Sequence, residues 1–189
     1  MFHYYDCSEL LFRAVKDANF EEVNRLLSIA SAATGTKLFA IVNEEDDNGM
    51  TPLIEACVSG DERIVRLLLE SGAHSQLWQA KHTPLRGAAI CGHHHIIPIL
   101  LKAGANPNVA SEGNRTPLMG ACFLRENVPT EKSALCVKAL FQNNHILGGP
   151  VLDPRQRNSF GESALDLARI RGYEESIQII EKAMNWVTP

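Results

Sequence analysis

The chain has 189 residues, 45% of them apolar and 21% charged, a balance that supports a packed core and excludes wholesale disorder. Its net charge of −4 at pH 7 supplies no field for a nucleic-acid backbone or an anionic membrane surface. No apolar run reaches the roughly 18–20 residues that a membrane-spanning helix needs.

Taken in chain order, the first candidate element is an amphipathic helical pair over Ser8–Leu27. Leu10, Leu11, Ala14, Val23, Leu26 and Leu27 form its apolar side, and Glu9, Arg13, Lys16, Glu21 and Arg25 its charged one. An insertion of about nine residues, placed within Ala30–Ala40 as a loop, precedes a finger over Ile41–Asn48 with the acidic tip Glu44, Glu45, Asp46 and Asp47. Then the chain begins to repeat itself. Asn48–His74 and Ala80–Asn106 coincide almost residue for residue, and a third copy opens at Asn114–Leu124 and resumes at Ala134–Asn144. The threonines of the three Thr-Pro-Leu triplets, Thr51, Thr83 and Thr116, lie 32 and 33 residues apart. A degenerate last copy covers Gly161–Ala183.

Local chemistry gives each copy its shape. The Thr can cap a helix whose first turn tolerates the Pro. Small pairs follow at Ala56–Cys57, Ala88–Ala89 and Ala121–Cys122 and let a neighbouring helix come close. Gly60 or Gly92 ends that helix, an amphipathic run such as Ile64–Leu69 forms a second, and Gly72 or Gly104 stops it. One such hairpin cannot bury its apolar face alone, whereas stacked neighbours can. The expected architecture is a solenoid.

These segments resemble the ankyrin repeat. Gly49, Thr51, Pro52, Leu53, Ala56, Gly60, Val65, Leu67, Leu68, Leu69, Gly72 and Ala73 match its pattern in one copy. Thr83, Pro84, Leu85, Ala88, Ala89, Gly92, His93, Leu100, Leu101, Gly104, Ala105 and Asn108 match in the next. The resemblance implies an all-α solenoid of antiparallel helix pairs with β-hairpin-like fingers, a single domain over 1–189. Its units are expected at about 8–40, 41–75, 76–109, 110–158 and 159–185, the outer two acting as caps that close both ends. Arg169, standing where the inner copies have Cys57, Ala89 and Cys122, is expected to lie over the end of the core.

Departures from the pattern are where one array differs from another. About seven extra residues fall within Leu124–Ser133 and about seven more within His145–Phe160, read as tolerated surface loops or, second, as partner contacts. Lys81 stands where Gly49 sits one unit earlier, so a distorted finger is expected, carrying Leu77 and Trp78 either exposed or folded back. Val58, Ile90 and Phe123 occupy equivalent places and would stand side by side on the concave face, as a partner stripe or as core covered by the insertions. The acidic fingertip beside such a groove suggests a basic partner, or simply a solvated tip. Ile54, Arg86, Met119 and Asp166 replace the His that the family places after the Leu, so the hydrogen bond from that His to the opening Thr is expected to be missing. Pro98 requires the second helix of its unit to start late, near His95, or to kink.

Residues that look chemical have plainer readings. The triplet His93–His95 has the wrong spacing for metal ligands on a helix, and His93 is the His of the family's Gly-His turn. The five cysteines, Cys7, Cys57, Cys91, Cys122 and Cys136, include no close pair, which argues against a disulfide framework and a CxxC zinc site. Asn108 matches an Asn that asparaginyl hydroxylases modify in some members of the family. Without a secretory pattern at its start, the chain is expected in a reducing compartment, the cytosol or the nucleus. The expected function is non-enzymatic protein binding, with no catalytic, cofactor or metal residues, as a monomer, with no nucleic-acid or membrane partner. The candidate contact residues are Met50, Leu77, Trp78, His82, Ile90, Arg115 and Phe123. The alternative is a regulatory or targeting domain of a larger or associated catalytic assembly.

Overall fold

A computed structural model describes residues 4–33, 35–76, 81–142 and 150–186. The described helices, in chain order, are α1 (Tyr4–Lys16), α2 (Phe20–Ala33), α3 (Gly35–Asn43), α4 (Pro52–Ser59), α5 (Glu62–Glu70), α6 (Pro84–Ile90) and α7 (Ile97–Lys102). They continue with α8 (Pro117–Ala121), α9 (Glu131–Gln142), α10 (Ala164–Arg171) and α11 (Glu174–Trp186). Among them none is long and apolar enough to cross a membrane.

The helix starts follow from the capping residues. Thr51, Thr83 and Thr116 each accept, at Oγ1, the backbone N–H three residues on, from Ile54, Arg86 and Met119. Each such cap stabilises its helix by about 1 kcal/mol. At α10 the cap is reciprocal. Ser163 Oγ accepts from Asp166 N while the Asp166 carboxylate accepts from Ser163 N at 2.9 Å. In this copy Asp166, standing in the place of the family's His, makes its own bond to the opening residue.

The first helices of successive units stack in one file, α1 on α4, α4 on α6, α6 on α8 and α8 on α10. Behind them α2 meets α5, α7 meets α9, and α9 meets α11. The file is tight because Ala56, Ala88, Ala121 and Ala168, all fully buried, put no bulk between neighbours. Gly87 and Gly120 serve the same end, since a Cβ on Gly120 would lie 3.3 Å from Arg86 Cγ. Leu53, Leu85 and Leu118, in equivalent positions, form one continuous core with Ile64, Leu68, Ile97, Leu100 and Leu140. Cys57, Cys122 and Cys136 are buried within it, and burial raises all three thiol pKa values, that of Cys136 to about 12.

Two departures took shapes that spacing left open. The insertion placed as a loop within 30–40 is instead largely helical. Its α3 packs on α1, α2 and α4 and buries Ile41 and Val42, which leaves the following finger shorter than 41–48. Leu38, Ile41 and Val42 fall at helical spacing, so an amphipathic helix can bury what a loop would expose. At Pro98 the late start is the outcome: α7 begins at Ile97 and the Pro sits in its first turn. The finger segment carrying Leu77 and Trp78 lies outside the described residues.

Candidate binding groove

The first helices repeat one face, which is exposed at its seventh position in the later units. Counting from the capping residue, the third, fourth and seventh positions point the same way. In α6, α8 and α10 these positions supply Arg86, Ile90, Met119, Gly120, Phe123, Leu167 and Ile170 (Phe123 follows Cys122, the C-cap of α8). Together they line an open groove of about 580 Å³. Phe123 is 43% and Ile170 66% exposed, so the groove carries large apolar surface that the fold itself does not cover.

The finger loops close the other side with Arg115, Asn158, Phe160 and Glu162. Their shape is fixed by backbone bonds. Ser111 and Arg115 bridge across the tip at Asn114, which takes a left-handed φ of 55°, as an Asn can where a Lys would not. In the next finger buried Asn158 organises the turn. Its Oδ1 accepts from Phe160 N and Glu162 N, and its Nδ2 donates to the Glu162 carboxylate. Ser159 N then donates to Gly113 O and ties the two fingers together. The result holds the Phe160 side chain out at the tip, 75% exposed.

The insertion after α8 buttresses this region. Leu124 is buried, Arg125 N donates to Ile90 O, and Arg171 on α10 donates to Leu124 O. The Arg171 guanidinium lies 4.1 Å over the Phe123 ring, a cation–π contact that fixes the ring's orientation. The second insertion is clamped by Asn108, whose Nδ2 donates to Val151 O and whose Oδ1 accepts from Asp153 N.

Two guanidinium groups and one carboxylate, Arg86, Arg115 and Glu162, line the groove. Arg86 lies half-buried along the groove floor with its Nε enclosed and without an acceptor among the described residues. Burial, then the nearby guanidinium groups of Arg115 and Arg125, push its pKa down. The Glu162 carboxylate is held by Asn158.

Of the contact residues expected from the sequence, the fold brings Ile90, Arg115 and Phe123 together in this groove. Val58, expected beside Ile90 and Phe123, lines a separate depression with Cys91 and the insertion, and its methyl group packs over Gly87. Met50 is half-buried in the preceding finger, where its N–H donates to the Asp46 carboxylate. His82 is half-buried between fingers, its pKa lowered first by burial and then by Arg86. Neither lines the groove. Leu77 and Trp78 fall outside the described residues. Sequence reasoning missed Arg86, Phe160 and Ile170. Ile170 stands at the same seventh position as Ile90 and Phe123, a signal that was present; Arg86 was visible only as a lost His.

Two of the three consecutive histidines contact the backbone of the preceding unit. His93 Nε2 meets Val58 O at 3.0 Å with its ring over Gly60, and His95 Nε2 lies 3.4 Å from Gly60 O. The acidic fingertip is also partly engaged, since Asp46 accepts from the backbone N–H groups of Asn48 and Met50.

Comparison with protein-family models agrees with this geometry. The model described as Ankyrin repeats (3 copies) matches residues 5–77, and the model described as Ankyrin repeat matches residues 81–112.

Proposed function

Because the chain belongs to the ankyrin-repeat family, whose repeats are generally protein–protein interaction modules, we propose that it is a non-enzymatic binding protein that docks a protein partner in the groove between α6, α8, α10 and their fingers. One observation carries this reading: Phe123, Phe160 and Ile170 stand exposed around a single groove whose backbone is pinned by caps and finger bonds. A surface ordered in advance loses little entropy on binding. Exposed aromatic side chains of this kind are the usual anchors of an interface. The side chains that meet there are mostly apolar groups and guanidinium groups, with the Glu162 carboxylate accepting from Asn158. Ile90, Arg115 and Phe123 are the contacts proposed, with Met50 and His82 extending the surface toward the earlier finger. The chain is read as one monomeric domain with units at about 8–40, 41–75, 76–109, 110–158 and 159–185.

The test is quantitative co-purification from the native cell with three baits: the unaltered chain, a Phe123→Ser/Phe160→Ser variant, and a Leu135→Ser control on α9, away from the groove. Proteins that the groove binds should fall by at least about tenfold with the double variant and be retained by the control. If every captured protein is indifferent to the groove variant, the reading fails.

A further inference from the structure

Most arginines elsewhere among the described residues have carboxylate partners; Arg155, outside the groove, instead donates to Met184 O. Arg13, Arg25, Arg63, Arg66, Arg157 and Arg169 each form an ion pair, with Asp17, Glu22, Asp61, Glu62, Asp166 and Glu181 respectively. Among the described residues Arg86, Arg115, Arg125 and Arg171 have none, and all four belong to the groove or its buttress. Arg171 has an enclosed Nε without an acceptor among the described residues, but its Nη2 donates to Leu124 O and its guanidinium lies over the Phe123 ring. Arg86 is left with an enclosed Nε that lacks an acceptor among the described residues. A guanidinium in partly apolar surroundings, opposed by two like charges, is costly until an anion reaches it.

We propose that the groove receives an acidic side chain, Asp or Glu, that the partner presents between large apolar residues. This rests on the groove being the docking surface and adds the chemistry of what docks. The carboxylate would accept from Arg86 at the floor and Arg115 at the finger, while the flanking apolar side chains cover Phe123, Phe160 and Ile170. Two features favour a carboxylate over a phosphate polyanion. The groove wall is mostly apolar and would strip water from a doubly charged group at high cost, and the chain's net charge of −4 opposes a nucleic acid. The reading also reverses the sign suggested by the acidic fingertip of Glu44–Asp47, which lies with Arg13 and Lys16 in a different depression.

The experiment selects short random peptides, displayed with both ends fused so that no terminal carboxylate is free, against the full chain and its variants. The expected motif has one Asp or Glu flanked by large apolar residues. A synthetic peptide of that motif, blocked at both ends, should lose at least about tenfold in affinity for Arg86→Met, which keeps the length of the side chain without its charge. Selection against Arg86→Glu should enrich Lys or Arg in place of the acid, and the melting curves of both variants establish that they fold. Motifs without an acid, an acidic motif indifferent to Arg86→Met, or a random oligonucleotide that competes with the peptide through Arg86 would overturn the proposal while leaving the groove as a docking surface. If no selected peptide depends on Phe123, the groove reading falls and takes the proposal with it.

Discussion

His93 illustrates how a residue with chemical potential is consumed by structure. Its ring lies over Gly60, where an added Cβ would approach within 2.4 Å of the imidazole, and its Nε2 meets Val58 O. Burial is the largest influence on it and lowers its pKa, with His95, Lys132 and His94 adding to the same direction. The pKa values of His82 and His94 are lowered as well, again chiefly by burial. Unfolded histidines titrate near about 6.5, so between that value and the lower folded ones the unfolded chain binds more protons. The stability from these neutral rings is thus complete above about pH 6.5 and is lost as pH falls through the folded values. Urea midpoints should drop as the pH is lowered through this window, and His93→Gln should flatten the drop; a midpoint that rises on acidification would contradict the assignment. At this scale the sequence was legible where a residue repeats a family position, as His93 does. It was poorly legible at Arg86, because a substitution in a pattern shows what is lost and says nothing of where the new side chain goes.

At the scale of elements, the helices read from the Thr-Pro-Leu periodicity are present because each start and stop has a local cause in its cap or its glycine. The element that escaped notice, α3, has no counterpart in the repeat, and spacing between copies can measure an insertion without giving its conformation. The insertion after α8 is similar: its length was apparent, but its role as a buttress depends on Arg171, forty-seven positions on, reaching Leu124 O. Contacts between second helices are also invisible to periodicity. Ser133 and Ser176, both buried, join α9 to α11 through hydroxyl groups 2.7 Å apart. Removing one hydroxyl leaves the other buried without its partner, at a cost of about 1–3 kcal/mol, whereas removing both relieves that penalty. Ser133→Ala and Ser176→Ala should each lower the unfolding free energy by about that amount, and the double variant by clearly less than their sum. Strict additivity in a denaturant double-mutant cycle would mean that the two hydroxyls are not coupled.

For the whole molecule, the consequence of stacking is that the groove belongs to no single unit. Its floor comes from α6, α8 and α10, and α10 is held in place largely by α11 and α8. In a stack of this kind each unit is stabilised by its neighbours, so the last pair has support on one described side. Ile180 is fully buried on α11, in the core and outside the groove lining. Ile180→Ala should cost about 2–5 kcal/mol at that end, by lost burial and the cavity left behind. If this loosens α10 and α11 in preference to the rest, amides there should exchange faster with solvent while those of α4 and α6 change little. Binding in the groove should then weaken although no contact residue has been touched, because only the fraction of molecules with Ile170 and Phe160 in place can bind. Raising the stability with an excluded osmolyte should restore that affinity toward the original value, since the osmolyte favours the packed pair. Weakened binding that the osmolyte does not restore, or uniform exchange along the whole stack, would place the cooperative unit at the entire array instead of its final pair.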